Sequence, residues 1–230
     1  MSLVEHREGI EAGRLDMFVD AAFAFTLTLL VIGRDAVPAS VDELLHMLGG
    51  IPAFAASFAI MTLFWHGHVR WRRHQLRADG RGLLLSLLLV FFALIFVYPL
   101  HMMFAGLFNA FSQGATPSEF VVNDTGKLRA LYVCYGVAFT CMAGTLVLLF
   151  RHAAWCARRD GASSLPAQLG QIGWMVPAVL GLLSALLALL LPLSAPALLW
   201  SLPGWLYFLM FLIGPLTTRF RRRHGMGAVS

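Results

Sequence analysis

The sequence predicts an all-α, polytopic membrane protein with six transmembrane helices and both termini in the cytoplasm. Three observations carry that expectation. Of 230 residues, 59% are apolar and only 13% charged, against roughly 45–50% and about 25% in soluble globular chains. The few charges are clumped, which leaves uncharged stretches of the length that a bilayer crossing requires. Lys and Arg also collect at alternate ends of those stretches.

A helix crossing about 30 Å of hydrocarbon needs roughly 20 apolar residues. The first span, about 14–33, is the least obvious, because Arg14, Asp16 and Asp20 stand in its first half. Leu44 to Val69 carries no Asp, Glu, Lys or Arg and holds the second span, about 49–69. Gly82 to Ser118 is also uncharged but turns polar at Asn109, Ser112, Gln113 and Pro117, so it holds one span, about 82–107, and a loop. Ala130 to Phe150 fits the fourth. Gly161 to Thr218 is too long for one helix, and Pro192, Ser194 and Pro196 divide it into spans of about 168–191 and 197–218. Every connection is short, so residues 1–230 form a single six-helix domain, ending in a basic cytoplasmic tail over 219–230.

The N-terminus (Glu5, His6, Arg7, Glu8, Glu11) is not the basic head of a secretory signal, and the first span is expected to stay in the mature chain. Orientation follows from the basic residues. One side collects Arg7, Arg14, Arg70, Arg72, Arg73, Arg77, Arg81, Arg151, Arg158, Arg159, Arg219, Arg221, Arg222 and Arg223, while the other has Arg34, Lys127 and Arg129. Fourteen against three puts both termini in the cytoplasm, with an even number of spans; the expected location is the cell (inner) membrane. The net charge of +5 is therefore a topology signal, and nucleic acid is not an expected partner. The terminal arginine run reads as a stop-transfer flank, with anionic headgroups as a lesser alternative.

Catalytic signatures are missing. There is no Gly-rich phosphate loop, His-Glu-x-x-His zinc pair or Gly-x-Ser-x-Gly elbow, so the chain is not expected to be an enzyme. The Thr-Val-Gly-Tyr-Gly carbonyl filter of ordinary potassium channels is absent as well. No cofactor or metal site is expected. Cys134, Cys141 and Cys156 lack metal-ligand spacing, and the first two are expected to pack on one helical face. Gly136, Thr140 and Gly144 form a small-residue ridge on the fourth span that allows close helix approach. His66 and His68 point about 200° apart on a helix, which favours hydrogen bonding over metal binding. His101, after Tyr98-Pro99, reads as interfacial.

The first span carries the functional information. A charge inside a membrane helix costs roughly 2.5–3.5 kcal/mol on insertion scales, so Asp20 needs a partner or a water-filled path. At about 100° per residue, Ala21, Phe25, Thr28, Leu29 and Ile32 share one face, continued inward by Arg14 and Phe18. Asp16 and Asp20 lie on another, where His66, His68 or Arg70 could supply donors. The residues alone leave two readings open: a buried polar pair with a packing stripe, or an ion pathway.

The run Arg14-Leu-Asp-Met-Phe18-Val-Asp20, continuing through Ala24-Phe25-Thr26-Leu27-Thr28-Leu29-Leu30-Val31, resembles the first-helix signature of the transmembrane protein 175 family. Phe64-Trp65…His68-x-Arg70 and, more loosely, Tyr98-Pro99 extend the likeness through the third span. Beyond it only hydropathy and spacing match. The resemblance implies a potassium channel without a carbonyl filter, prokaryotic members being homotetramers whose first helix lines the pore. Carried over by position, Phe25, Thr28, Leu29 and Ile32 become the constriction and selectivity layers. Arg14, Phe18, Asp20, Trp65, His68 and Arg70 become the signature and helix-tethering network. Three positions depart from the pattern: Val19 replaces the motif serine, Phe25 the usual isoleucine, and Ser86 an asparagine. The implied partners are other copies of the chain, the bilayer and permeant potassium ions. The alternative is a proton-coupled secondary transporter using Asp20 and His68.

Overall fold

The computed structural model describes residues 3–32, 39–75, 79–114, 116, 124–196 and 198–223, with side chains of the first helix described from Gly13 to Leu30. Arg7, Arg34, Arg77, the Ile32 side chain and the tail beyond Arg223 lie outside them. The regular structure among the described residues is all helical, with no strand among them. Helices α1 (Leu3–Ile32), α2 (Val41–Leu48), α3 (Ile51–Arg72), α4 (Gly80–Phe111), α5 (Thr125–Arg159) and α6 (Leu165–Leu190) are followed by a broken terminal segment. That segment comprises a 3₁₀ turn at Leu199–Ser201, α7 (Leu202–Trp205), a second 3₁₀ stretch at Leu206–Leu212, and α8 (Ile213–Arg223).

Helix ends follow local chemistry. Ser40 caps α2 by accepting from the Glu43 backbone N–H at 3.2 Å, while the Glu43 carboxylate accepts from the Ala39 N–H at 2.7 Å. The pattern is a capping box shifted by one residue, the carboxylate reaching the N–H that precedes the cap instead of the cap's own. Asp79 caps α4 by accepting from the Gly82 N–H at 2.9 Å. At the end of α5 the Ala162 N–H bonds the Ala157 carbonyl at 2.8 Å across Gly161, whose φ is +72°. This is a Schellman stop that glycine reaches without a Cβ clash.

Two elements differ from the expectation. The loop after the first span contains α2, an additional helix that meets α3 at a 44° bend across Gly49 and Gly50. The last span is not one regular helix: Pro203 cannot donate a backbone bond, and Gly204, Gly214 and Pro215 further weaken the ladder. The seven-residue 3₁₀ run that results is long for this geometry. Four helical segments, 80–111, 125–159, 165–190 and 199–223, are long and apolar enough to cross a membrane, and a fifth if α2 and α3 are counted together. The protein is accordingly a helical membrane protein. The described part of α1 is set apart from these spans by Arg14, Asp16 and Asp20.

The core is aromatic and central. Phe64 of α3 lies 5.3 Å from both Phe139 of α5 and Trp174 of α6, and Tyr135 stands 5.3 Å from Tyr207. Helices α5 and α6 make the closest approach. A Cβ on Gly136 would meet the Gly181 carbonyl at 2.8 Å and the Ala185 Cβ at 2.9 Å. Thr140 continues this contact, donating to the Gly136 carbonyl at 2.7 Å and reaching the Ala178 carbonyl at 3.3 Å. Gly144, the third residue of the expected ridge, has no neighbour within 4 Å of a built Cβ. The outer faces remain apolar: Leu84, Leu87, Phe91, Ile95 and Tyr98 form an exposed stripe along α4.

Candidate functional site on the first helix

Helix α1 packs against α3 and α4, and its two faces differ. Leu15, Val19, Phe23, Thr26 and Leu30, spaced at three and four residues, are buried. The opposite face, with Arg14, Phe18, Ala21, Phe25 and Thr28, is exposed, and Leu29 is half-buried at its edge. Phe25 keeps 57% of its surface exposed and Phe18 53%. The face that the sequence pattern singles out is thus the one that the protomer leaves uncovered. The Thr28 hydroxyl turns back to donate to the Phe25 carbonyl at 2.6 Å, and Thr26, on the buried side, donates to the Ala22 carbonyl at 2.8 Å.

Two polar tethers join α1 to α3. Asp20 accepts from the Trp65 indole N–H at 2.7 Å, and Asp16 accepts from the Arg72 Nε at 2.7 Å. The pairing reverses chain order, which is what two antiparallel helices require. Along α1 the two aspartates are separated by about 6 Å, whereas Trp65 and Arg72 are separated by about 10 Å along α3. The long Arg72 side chain spans the difference.

The donors expected for Asp20 were His66, His68 and Arg70. None of them makes this bond: His66 and Arg70 are exposed, and His68 turns into the core. There its Nε2 lies 3.0 Å from the Ser86 hydroxyl of α4. Ser86 therefore gives the buried His68 a polar partner. Val19, in place of the motif serine, is wholly buried and contributes packing. Among the described residues Arg14 has no ion-pair partner within the protomer. Arg72 was not expected, although its spacing of seven from Trp65, two helical turns, marks both as residents of one face.

Beyond Arg72 the polar contacts continue. Arg72 also donates to the Gln75 carbonyl at 2.6 Å, and the Gln75 side chain donates to Asp79 Oδ1 at 2.9 Å. Asp79 Oδ2 contacts His152 Nε2 on α5, and Cys156 Sγ lies 3.7 Å from the same nitrogen. Cys134 is exposed and Cys141 half-buried, so the expected packed pair on α5 is not formed, and Cys156 is the thiol placed among other polar groups.

This architecture, an uncovered motif face on a helix tied by polar bonds to a membrane bundle, defines the class: a helical integral membrane protein whose first helix leaves its motif face uncovered. Comparison with known proteins narrows it. The family described as endosomal/lysosomal potassium channel TMEM175 matches residues 14–99. A potassium channel of Marivirga tractuosa is 27% identical over 245 residues, covering 94% of this chain and 91% of that protein. Among solved structures, a threonine-to-alanine variant of the potassium channel MtTMEM175, crystallised with a nanobody–MBP fusion, has a TM-score of 0.75 at 23% identity, covering 91% of this chain and 93% of its own. A lysosomal potassium-selective channel TMEM175 homologue from Chamaesiphon minutus has a TM-score of 0.58 at 20% identity, covering 90% of this chain and 98% of its own. The chain is similar to the TMEM175 channels, by sequence over residues 14–99 and by fold over most of its length. The proteins it resembles are channels, not enzymes.

Proposed function

We propose that the chain is one subunit of a homotetrameric, potassium-permeable channel of the cell inner membrane, with six spans, both termini cytoplasmic, and a pore lined by α1. The chain is read as one domain with a basic tail over 219–230. The observation that carries this reading is the exposure of Phe18, Phe25 and Thr28 on α1 while the opposite face of the same helix is buried. One six-span protomer cannot enclose a pore with a single helix face, so four such faces meeting on an axis make the conduit. Phe25 then forms the constriction, Thr28 a hydroxyl layer beside it, and Leu29 and Ile32 the next apolar layers. Asp16 and Asp20 act as wall supports through Arg72 and Trp65, with Arg14 and Phe18 at the inner mouth, and potassium ions cross without a resident cofactor.

Four phenyl rings at one level leave an apolar neck, which an ion passes only when the ring widens and admits water. Gating is therefore a displacement of α1 against α3 and α4. The proton-carrier alternative gains no support from the geometry, since Asp20 and His68 are engaged by different partners, Trp65 and Ser86.

Purified protein in a planar bilayer tests this reading. The unaltered chain is expected to carry potassium current, and Phe25→Ala to carry more. Absence of flux in both forms would sink it.

A further inference from the structure

Away from α1, Asp79, His152 and Cys156 bring one donor atom each to within 4.8 Å of one another. Asp79 precedes α4, and the other two stand one turn apart on the same face of α5. His152 is the most enclosed, with 7% of its side chain exposed against 36% for Asp79. The carboxylate is already oriented: Oδ1 accepts from the Gln75 amide and the Gly82 N–H, both at 2.9 Å, which directs Oδ2 to His152.

We propose that these three side chains form a binding site for a borderline-soft divalent transition metal of the zinc or cobalt type. Imidazole, thiolate and carboxylate are the donors such ions take, and the thiolate disfavours magnesium and calcium. Bonds of about 2.0–2.3 Å in a tetrahedron place neighbouring donors roughly 3.3–3.8 Å apart; the 3.7 Å from Cys156 Sγ to His152 Nε2 falls on such an edge, while Asp79 Oδ2, in direct contact with His152 Nε2, must draw back to admit the ion. Three protein donors leave a fourth position for water on the exposed side of Asp79. Gln75 supplies the outer hydrogen bond that fixes a ligating carboxylate.

Charge supports the assignment. Carboxylate and thiolate together neutralise a divalent ion, while Arg81 and Arg159 are held away over the Trp155 ring at 5.7 and 5.2 Å. A ligating thiolate gives up its proton to the ion, so binding weakens as pH falls. Bound metal joins the start of α4 to the end of α5. This site stands whether or not the chain conducts.

The full-length protein in detergent, titrated with cobalt(II), provides the test. One equivalent is expected to give a near-ultraviolet thiolate-to-cobalt charge-transfer band that zinc abolishes. Cys156→Ala should lose the band, and the double variant Cys134→Ala/Cys141→Ala should keep it. Gln75→Ala is expected to weaken binding about 10- to 100-fold without removing the band. Absence of a band in the unaltered protein, its survival in Cys156→Ala, or its loss in the double variant each overturns the proposal. His152→Ala is a further check, and the Cys156 result decides even where that variant does not fold.

Discussion

Where α5 crosses α6, Gly136 meets the Gly181 carbonyl and Ala185 with no room for a Cβ; where α1 crosses α3, Asp16 and Asp20 reach over to Arg72 and Trp65. The two contacts solve the same problem, holding helices together where lipid tails supply no hydrophobic drive between them. The first removes side chains until backbones touch, and a contact of that kind has one geometry. The second uses long polar arms at the margin between the buried and the exposed face of α1. Such arms hold position while tolerating small shifts, as the proposed channel reading requires of α1.

The sharpest way to break this contrast is to fill the close contact. Gly136→Val puts a branched side chain against the Gly181 carbonyl and Ala185, and neither the α6 backbone nor the Ala185 Cβ can swing aside. Overpacking is expected to cost about 3 kcal/mol, read as a large fall in thermal midpoint in detergent. A Gly136→Val protein that melts with the unaltered one would mean the pair is not the rigid part of the fold.

Ser86→Ala probes the one buried polar link between α3 and α4 on which the departure from asparagine bears. It leaves the His68 imidazole, only 2% exposed, without its hydroxyl partner. The expected loss is about 2 kcal/mol, and Ser86→Asn should restore most of it if an amide can occupy the same place. Rescue is the informative arm, since a purely steric site would penalise the larger residue.

Trp65→Phe keeps the ring and deletes the indole N–H that Asp20 accepts. Because Asp20 is exposed, the expected stability loss is small, about 1 kcal/mol. On the proposed channel reading, the larger effect is on current, through a loosened α1. A stability loss equal to that of Gly136→Val would show that α1 is as rigidly held as α5.

The smallest thermal effect belongs to Phe25→Ala. Within a protomer its ring contacts little, and surface changes of this sort stay within about 0.5 kcal/mol. Its conductance effect is expected to be the largest of the set. A clear drop in protomer stability with no change in flux would assign Phe25 to packing.

The membrane class, the helical content and the approximate limits of five spans follow from charge-free runs and the proline-bounded break near Pro192 and Pro196, because a bilayer imposes length directly on composition. The stripe on α1 was likewise legible from its three- and four-residue spacing. Partner choice was not. The residues alone pointed Asp20 to His66, His68 or Arg70, and only the family resemblance set Trp65 in the same tethering network; Asp20 bonds Trp65, because α3 is rotated so that His68 enters the core and Trp65 faces α1. Periodicity says which residues share a face, not which face a neighbour presents. The breaks in the terminal segment carried a local signal in Pro203, Gly204, Gly214 and Pro215. The meeting of Asp79 with His152 and Cys156 had none, since it joins residues 73 positions apart. What the sequence determined by itself was the solvent of the protein and the pattern of each helix, both properties of short segments. The rotation and crossing of the helices, and with them the α1 tethers and the Asp79–His152–Cys156 cluster, were decided by tertiary packing, where contacts distant in the chain compete for the same space.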